Sequence, residues 1–286
     1  MIKLLKFYNR LFSFIDRYVF FLKESVLYFF NKKKLNILMK KKNPLISIIV
    51  PTYNRSFFLK TRSIRSILKQ SYTNFEIIVV VDGSTDNTIQ ILKSFKDSRI
   101  KIFQIERKKK RYPQTAINHW FCGPVIAINH GLKKISGDWI ARLDDDEIWG
   151  KKHLEISLRK LYATKSEFVS GKRLCKENPI DKRKFMISKH TNKYIENVKY
   201  DDQIGGNNTW VYASYLSFFK ANINCWRKDI NKVNDLDLIE RMIRVGIKIC
   251  FTNRATHIGL PREENGSTGS RYYLDNEKKI MKEYNI

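Results

Sequence analysis

The chain is short of acids, of chain breakers and of cysteine, and each shortage excludes a class of protein. Only 28 of its 286 residues are Asp or Glu, against 55 Lys or Arg, so the formal net charge is +27. Its partners are therefore expected to be anionic: nucleic acid, an acidic membrane surface or a phosphorylated small molecule. Twelve glycines and six prolines exclude a collagen-like or linker-dominated chain. The four cysteines, Cys122, Cys175, Cys225 and Cys250, are far apart and form no C-x-x-C pair. They fit free thiols in a reducing compartment better than a disulfide framework or a zinc site. Long apolar runs are lacking too. In the N-terminal region the longest uncharged run, Ser25 to Asn31, is far below the roughly 18 residues of a spanning helix. No small-residue cleavage site follows it, so neither a transmembrane anchor nor a cleaved signal peptide is expected.

What is present is a 43% hydrophobic composition, enough for a sizeable core. Residues 1–43 stand apart from the rest: eleven Lys/Arg and only two acids, Asp16 and Glu24, leave a local charge of +9. Lys3, Lys6, Arg10, Ser13 and Arg17 recur every three or four residues, which places them on one helical stripe. Leu4, Phe7, Tyr8, Leu11, Phe14, Ile15 and Tyr18 take the other faces, and Val26 to Phe30 is followed by two lysine triplets. Rings for acyl chains and cations for headgroups predict a helical extension lying on an anionic membrane surface. The alternative is a helix packed on the body or against a second copy.

After Pro44, β-branched runs alternate with amphipathic segments. Strands are expected at 46–50, 75–81, 100–105, 139–143, 167–174, 215–219 and 248–252, and helices at 57–69, 86–95, 125–135, 153–163 and 236–245. Continuous apolar strands alternating with helices predict an α/β domain over 44–260 with a mainly parallel sheet covered on both faces. A polar tail, 261–286, closes with a short helix. The lysine-rich segments 107–123 and 175–205 are long enough to act as lids.

Ligands of such sheets bind beyond the carboxyl ends of the strands, and three polar clusters sit there. Pro51-Thr52-Tyr53-Asn54-Arg55 offers amides, a hydroxyl, an aromatic face and a cation. Asp82-Gly83-Ser84-Thr85-Asp86 offers a carboxylate for a base N–H, while Asp86 and Thr88 read as helix caps. Asp144-Asp145-Asp146-Glu147 packs four carboxylates into a chain of charge +27, and these repel one another unless a cation intervenes. Hard oxygen ligands select Mg²⁺ or Mn²⁺. In extended chain Asp144 and Asp146 point to one side and Asp145 to the other.

These three motifs in this order, with Gly137-Asp138-Trp139-Ile140-Ala141 leading into the third, resemble the family 2 glycosyltransferases of GT-A fold. The resemblance covers roughly residues 45–255. It implies a GT-A type mainly parallel sheet, with a Rossmann-like nucleotide-binding half and a mixed acceptor half. It implies an inverting transfer of a sugar from a nucleotide-diphosphate donor, a UDP-sugar foremost, to a hydroxyl of a glycan or lipid-linked acceptor. Carried over by motif, Pro51, Thr52, Tyr53, Arg55, Asp82, Asp144 and Asp145 would hold the nucleotide-sugar. Asp144 and Asp146 would bind Mn²⁺ or Mg²⁺, with His257 after the last strand as a further ligand. The family's acidic pair opening a late helix matches Asn234-Asp235, which makes Asp235 the expected base. Trp210, Asn208 and Asp237 are the expected acceptor contacts. The family's Ala-Arg-Asn before a glycine reads Ala127-Ile128-Asn129-His130-Gly131 here, so one donor contact is missing, which Arg142 or the run 108–111 would replace. A role in cell-surface polysaccharide or lipopolysaccharide synthesis, at the cytoplasmic face of the membrane, follows from the same resemblance. A nucleotidyltransferase would need a glycine in the first loop, and Pro51 to Arg55 has none. A basic nucleic-acid-binding module has no supporting signature, and the four acids would repel phosphate.

Overall fold

Apolar runs with no polar alternation form strands that are buried on both faces, and this places the sheet at the centre of the molecule. The computed structural model describes residues 2–108, 111–175, 206–229, 232–259 and 270–284. The N-terminal region forms helices α1 (Ile2–Asn31) and α2 (Lys34–Leu38). Strand β1 (Ile46–Thr52) follows, then a helical stretch of α3 (Ser56–Phe58), a π turn and α4 (Ile64–Leu68). Next come β2 (Phe75–Asp82), α5 (Thr88–Ser94), β3 (Ile100–Ile105), α6 (Ala116–Cys122), α7 (Val125–Gly131) and β4 (Trp139–Arg142). The second half runs β5 (Ile148–Trp149), α8 (His153–Thr164), β6 (Phe168–Cys175), β7 (Val211–Ala213), α9 (Asn234–Val245), β8 (Ile249–Gly259), α10 (Ser270–Asp275) and α11 (Glu277–Tyr284).

Eight strands join in the order β3-β2-β1-β4-β7-β6-β8-β5. From β3 to β4 every pairing is parallel, with Ile48 opposite Ile77 and Ile46 opposite Trp139. Beyond β4 the sheet is mixed: β7 is antiparallel to both β4 and β6, whereas β6 and β8 run parallel. The parallel half and the mixed half expected from the sequence are both present. Every residue of β1 and β2 is buried. Buried Glu76 accepts hydrogen bonds from Ser47 Oγ, Ser136 N and Ser136 Oγ (2.7 and 2.8 Å for the last two) and from Lys101, pinning β1, β2 and the approach to β4 together.

Three local expectations are corrected. Residues 215–219 are not a strand: β7 lies just before them, and Ser214–Leu216 is a 3₁₀ turn. Apolar residues at 215, 216, 218 and 219 follow a helical turn rather than alternation, and Leu216 and Phe219 are fully buried. The segment 107–123 is not simply a loop, because Thr115 accepts a hydrogen bond from Asn118 N and caps α6. The last strand continues to Gly259, with register shifts around Ser170 to Arg173 of β6 that let a longer edge pair. The expected lid at 175–205 lies, from 176 onwards, outside the described residues.

Helix α1 settles on the body by its polar side. Asn9, Ser13, Asp16, Phe20, Glu24 and Tyr28 form the more buried stripe, spaced three or four apart. Asn222 Nδ2 donates to Asp16 Oδ2 (2.7 Å), Arg10 pairs with Asp229 (3.1 Å), and Tyr28 OH donates to Glu167 (2.8 Å). Glu24 is buried and bonds the Arg241 guanidinium, whose Nε also donates to Asp237 Oδ2 (2.9 Å). Burial pushes the Glu24 carboxyl up to about 7, against the pull of Arg241. The opposite face of α1 leaves Phe7, Leu11, Phe14, Tyr18, Leu22 and Phe29 exposed, an inversion of the usual amphipathic arrangement. The body contact offered by the sequence as the alternative is present, and the apolar residues of α1 take the outer face.

Arg241 neutralises two buried acids on two elements, so its loss takes the guanidinium from Glu24 and leaves Asp237 to Lys228. The expected cost of Arg241→Met is about 3–5 kcal/mol in urea unfolding, the scale for breaking a buried ion pair. Adding Glu24→Gln to it should recover part of that loss.

Candidate active site

Because β1 lies between β2 and β4, the carboxyl ends of these three strands are neighbours, and each delivers one polar cluster to the same rim. Thr52 ends β1, and its Oγ1 is buried without a hydrogen-bond partner among the described residues. The loop beyond it is tied to the β2 loop through Asn54, which adopts a left-handed conformation at φ 50°. Asn54 N donates to Ser84 Oγ (2.9 Å), and Asn54 Oδ1 accepts from Thr85 N (2.7 Å). Asp86 accepts from Ser56 N (3.2 Å) and Thr88 N (3.1 Å), the capping role expected of it.

Asp82 ends β2 and is 3% exposed. Two guanidiniums occupy its carboxylate: Arg107 Nη1 at 2.8 Å, and Arg111 through Nη1 at 2.5 Å and Nη2 at 2.8 Å. Arg107 also lies 4.0 Å over the Tyr53 ring, a cation–π distance. Gly83, at φ 70°, makes this possible, since a Cβ there would come within 2.6 Å of Arg107 Cβ. Its close approach is to protein rather than to open space. The sequence pointed to a basic run at 108–111 but gave no sign that Arg107 and Arg111 converge on Asp82.

The acidic motif after β4 is a tight turn rather than extended chain, with Glu147 N donating to Asp144 O (3.2 Å). The expected extended alternation, with Asp144 and Asp146 on one side and Asp145 on the other, is corrected accordingly. The Asp144 side chain is 30% exposed, whereas Asp146 is 4% exposed. Asn208 shapes the turn: its Oδ1 accepts from Asp144 N (2.7 Å) and its Nδ2 donates to Asp144 Oδ2 (3.1 Å). Arg62 Nη1 donates to Asp146 O (3.0 Å) from the helical stretch after β1. Asp145 is half-buried on the same turn.

Arg142 links this turn to the start of α9. It donates to Asp144 Oδ1 from Nε (3.1 Å) and Nη2 (2.8 Å), and to Asn234 Oδ1 from Nη1 (3.2 Å). Asp235 stands next in the helix. Burial raises its carboxyl above the ordinary aspartate value, the Arg142 charge pulls it down, and the Asp144 charge pushes it up. The expected base and the acidic turn are thus electrostatically coupled although Asp144 and Asp235 are 91 positions apart in sequence.

The structure separates other predicted residues from the site. Trp210 is 4% exposed with its ring 5.2 Å from Phe168, so it is a core residue with no face for a sugar. Asp237 is 1% exposed and held by Lys228 (2.8 Å) and Arg241, because its place in α9 faces α1 rather than the cleft. Asn208 is buried behind Asp144 and acts on it, not on an acceptor. His257 is buried, with Nε2 3.3 Å from Glu147 Oε2, and lies beside the acidic turn through the pairing of β8 with β5. Among the described residues no three His, Cys, Asp or Glu side chains converge into a metal cage. The hard oxygens of Asp144 and the buried Asp146 fit a divalent cation in kind, with further ligands to come from a bound anion. Arg55 of the first cluster pairs with Glu283 (2.7 Å) near the end of the chain.

The model of glycosyl transferase family 2 matches residues 47–224, more than half of the chain. The chain is 38% identical over 127 residues to a UDP-Glc:alpha-D-GlcNAc-diphosphoundecaprenol beta-1,3-glucosyltransferase of Escherichia coli, covering 44% of this chain and 45% of that one. It is 30% identical over 196 residues to a GalNAc(5)-diNAcBac-PP-undecaprenol beta-1,3-glucosyltransferase of Campylobacter jejuni, covering 60% and 59%. It thus spans about half the length of each of these relatives. Staphylococcus aureus TarS, solved with UDP-GlcNAc, superposes with a TM-score of 0.56 at 19% identity over 83% of this chain and 66% of that one. A mannosyltransferase of Pyrobaculum calidifontis, solved with GDP-Man and Mn²⁺, gives 0.52 at 16% identity over 92% and 70%. These two likenesses are of fold. The three clusters on one rim and the matched span agree, and the chain belongs to glycosyl transferase family 2.

Proposed function

We propose that the protein is an inverting glycosyltransferase that moves a sugar from a UDP-sugar to a hydroxyl of a lipid-linked glycan at an anionic membrane surface. The observation that carries this reading is the Arg142 bridge from Asp144 to Asn234, which brings the neighbouring Asp235 within electrostatic reach of the acidic turn. Pro51, Thr52, Tyr53 and Asp82 line the nucleoside end, and Arg55 with the Asp144–Asp145 turn faces the diphosphate and sugar. Asp144 and Asp146 would hold Mn²⁺ or Mg²⁺, with His257 in reserve beside them. A cation bound there would supply positive charge against the leaving diphosphate.

Asp235 takes the proton of the acceptor hydroxyl as its oxygen attacks the anomeric carbon from the face opposite the diphosphate. The anomeric C–O bond breaks, and its electron pair leaves with the nucleotide. The raised Asp235 carboxyl makes a stronger base than an exposed aspartate, and Arg142 keeps it ionised enough to act. The names of the Escherichia coli and Campylobacter jejuni relatives, both acting on undecaprenol diphosphate conjugates, support a lipid-linked acceptor and a role in surface polysaccharide synthesis. The exposed apolar face of α1, flanked by Lys6, Lys23 and Lys32 to Lys34, suits such a substrate by resting on the bilayer that carries it. No helix among the described residues is long and apolar enough to cross a membrane.

Asp235→Asn should lower kcat by about 10²–10⁴. In the wild type, kcat/KM should fall as pH drops through the Asp235 pKa, with that acid limb above the ordinary aspartate range. Asn208→Ala should lower turnover by about 10–100-fold, the scale for a residue that orients a metal ligand, with unfolding midpoint little changed. Phe14→Glu with Leu22→Glu should abolish cosedimentation with phosphatidylglycerol vesicles, which the wild type should show and lose progressively with salt. Calorimetry with UDP, GDP and CMP, with and without Mn²⁺, tests the donor; no binding of any would sink the reading.

A further inference from the structure

The last described helix lies on the proposed donor site. Tyr284 stacks on Tyr53, with ring centroids 5.9 Å apart and planes 28° from parallel. Its hydroxyl bonds the Arg55 guanidinium, and Arg55 Nη2 pairs with Glu283 Oε1 at 2.7 Å. Arg107, the residue that joins Tyr53 to Asp82, reaches the Tyr284 carbonyl at 3.5 Å. One dipeptide therefore presents an aromatic ring to Tyr53 and an anion to Arg55. These are the two contacts a nucleotide would make there, base on ring and phosphate on guanidinium.

The packing that holds this helix is independent of the main core. Tyr273, Ile280 and Tyr284 bury themselves with Ala116 of α6, and Tyr53 and Trp120 pack at the edge. Glu277, Lys278, Lys279 and Lys282 of α11 are exposed. Such a satellite cluster can open without unfolding the sheet.

We propose that α11 is an intramolecular ligand of the donor site, in which Tyr284 and Glu283 stand in for base and phosphate and are displaced when a nucleotide binds. The proposal rests on the assignment of Tyr53 and Asp82 to the nucleoside and of Arg55 to the diphosphate. Affinity measured from outside is then reduced by the fraction of molecules in which the helix is seated.

The test uses the full chain and UDP with Mn²⁺ as the probe. Glu283→Gln with Tyr284→Ala should tighten UDP binding by about fivefold or more in calorimetry, as expected when a competing occupant is removed. Hydrogen exchange of wild-type amides 277–284 should accelerate at saturating UDP. Unchanged or weaker UDP binding by the double variant overturns the proposal, as does equal or greater protection of those amides. Asp82→Asn separates the two layers. If it leaves UDP binding unchanged, the nucleoside assignment fails and the proposal with it. If it weakens UDP binding while the double variant gives no gain, the displaced helix alone is wrong.

Discussion

The parallel pairing of β1 with β2 on one side and β4 on the other is the constraint from which the rest of this structure follows. Strands in a sheet lie about 4.8 Å apart, so parallel neighbours bring residues from their three carboxyl ends into one small rim. Thr52, Asp82 and Asp144 meet only because of that arrangement. Buried Glu76 secures it, as its carboxylate collects donors from Ser47, Ser136 and Lys101. Gly137 allows the approach to β4, since a Cβ there would sit 2.6 Å from Ser47 N.

A second theme is how a chain of charge +27 handles its acids. Four acids around the rim and beneath α1 are held by arginine: Asp82 by Arg107 and Arg111, Asp144 by Arg142, and Glu24 with Asp237 by Arg241. A guanidinium stays charged when desolvated and can bond two groups at once, so each of these arginines joins elements that are far apart in sequence. Arg142 joins the acidic turn to α9, and Arg241 joins α9 to α1. The site and the apolar-faced helix are thus connected through α9, Asn234, Asp237 and Arg241 falling on one stripe of that helix.

Much of the fold was legible from the sequence because its signals are local. Continuous β-branched runs mark β1 and β2, and the capping role of Asp86 follows from short-range turn chemistry. The 3₁₀ turn at Ser214–Leu216 was misread as a strand because a short aromatic run has the same composition in either state. Helix α6 was hidden among lysines and a proline. At the site, the Asp144 turn and Asp235 were identifiable by motif. Trp210 and Asp237 were not separable from residues on the rim, because polarity and aromaticity in a sequence do not say which face of an element meets the core.

The sequence by itself determined the α/β architecture, the strand-end location of the polar clusters and the family resemblance, since all three depend on residue type and spacing along the chain. Only the tertiary structure decided which way α1 turns, because an amphipathic helix can present either face until Asp16 and Glu24 find Asn222 and Arg241. It alone placed two arginines on Asp82, tied Asn234 at the start of α9 to Asp144 through Arg142, and set Tyr284 against Tyr53 across 230 intervening positions. Each of these contacts joins segments that no local periodicity relates, so only the folded chain could select them.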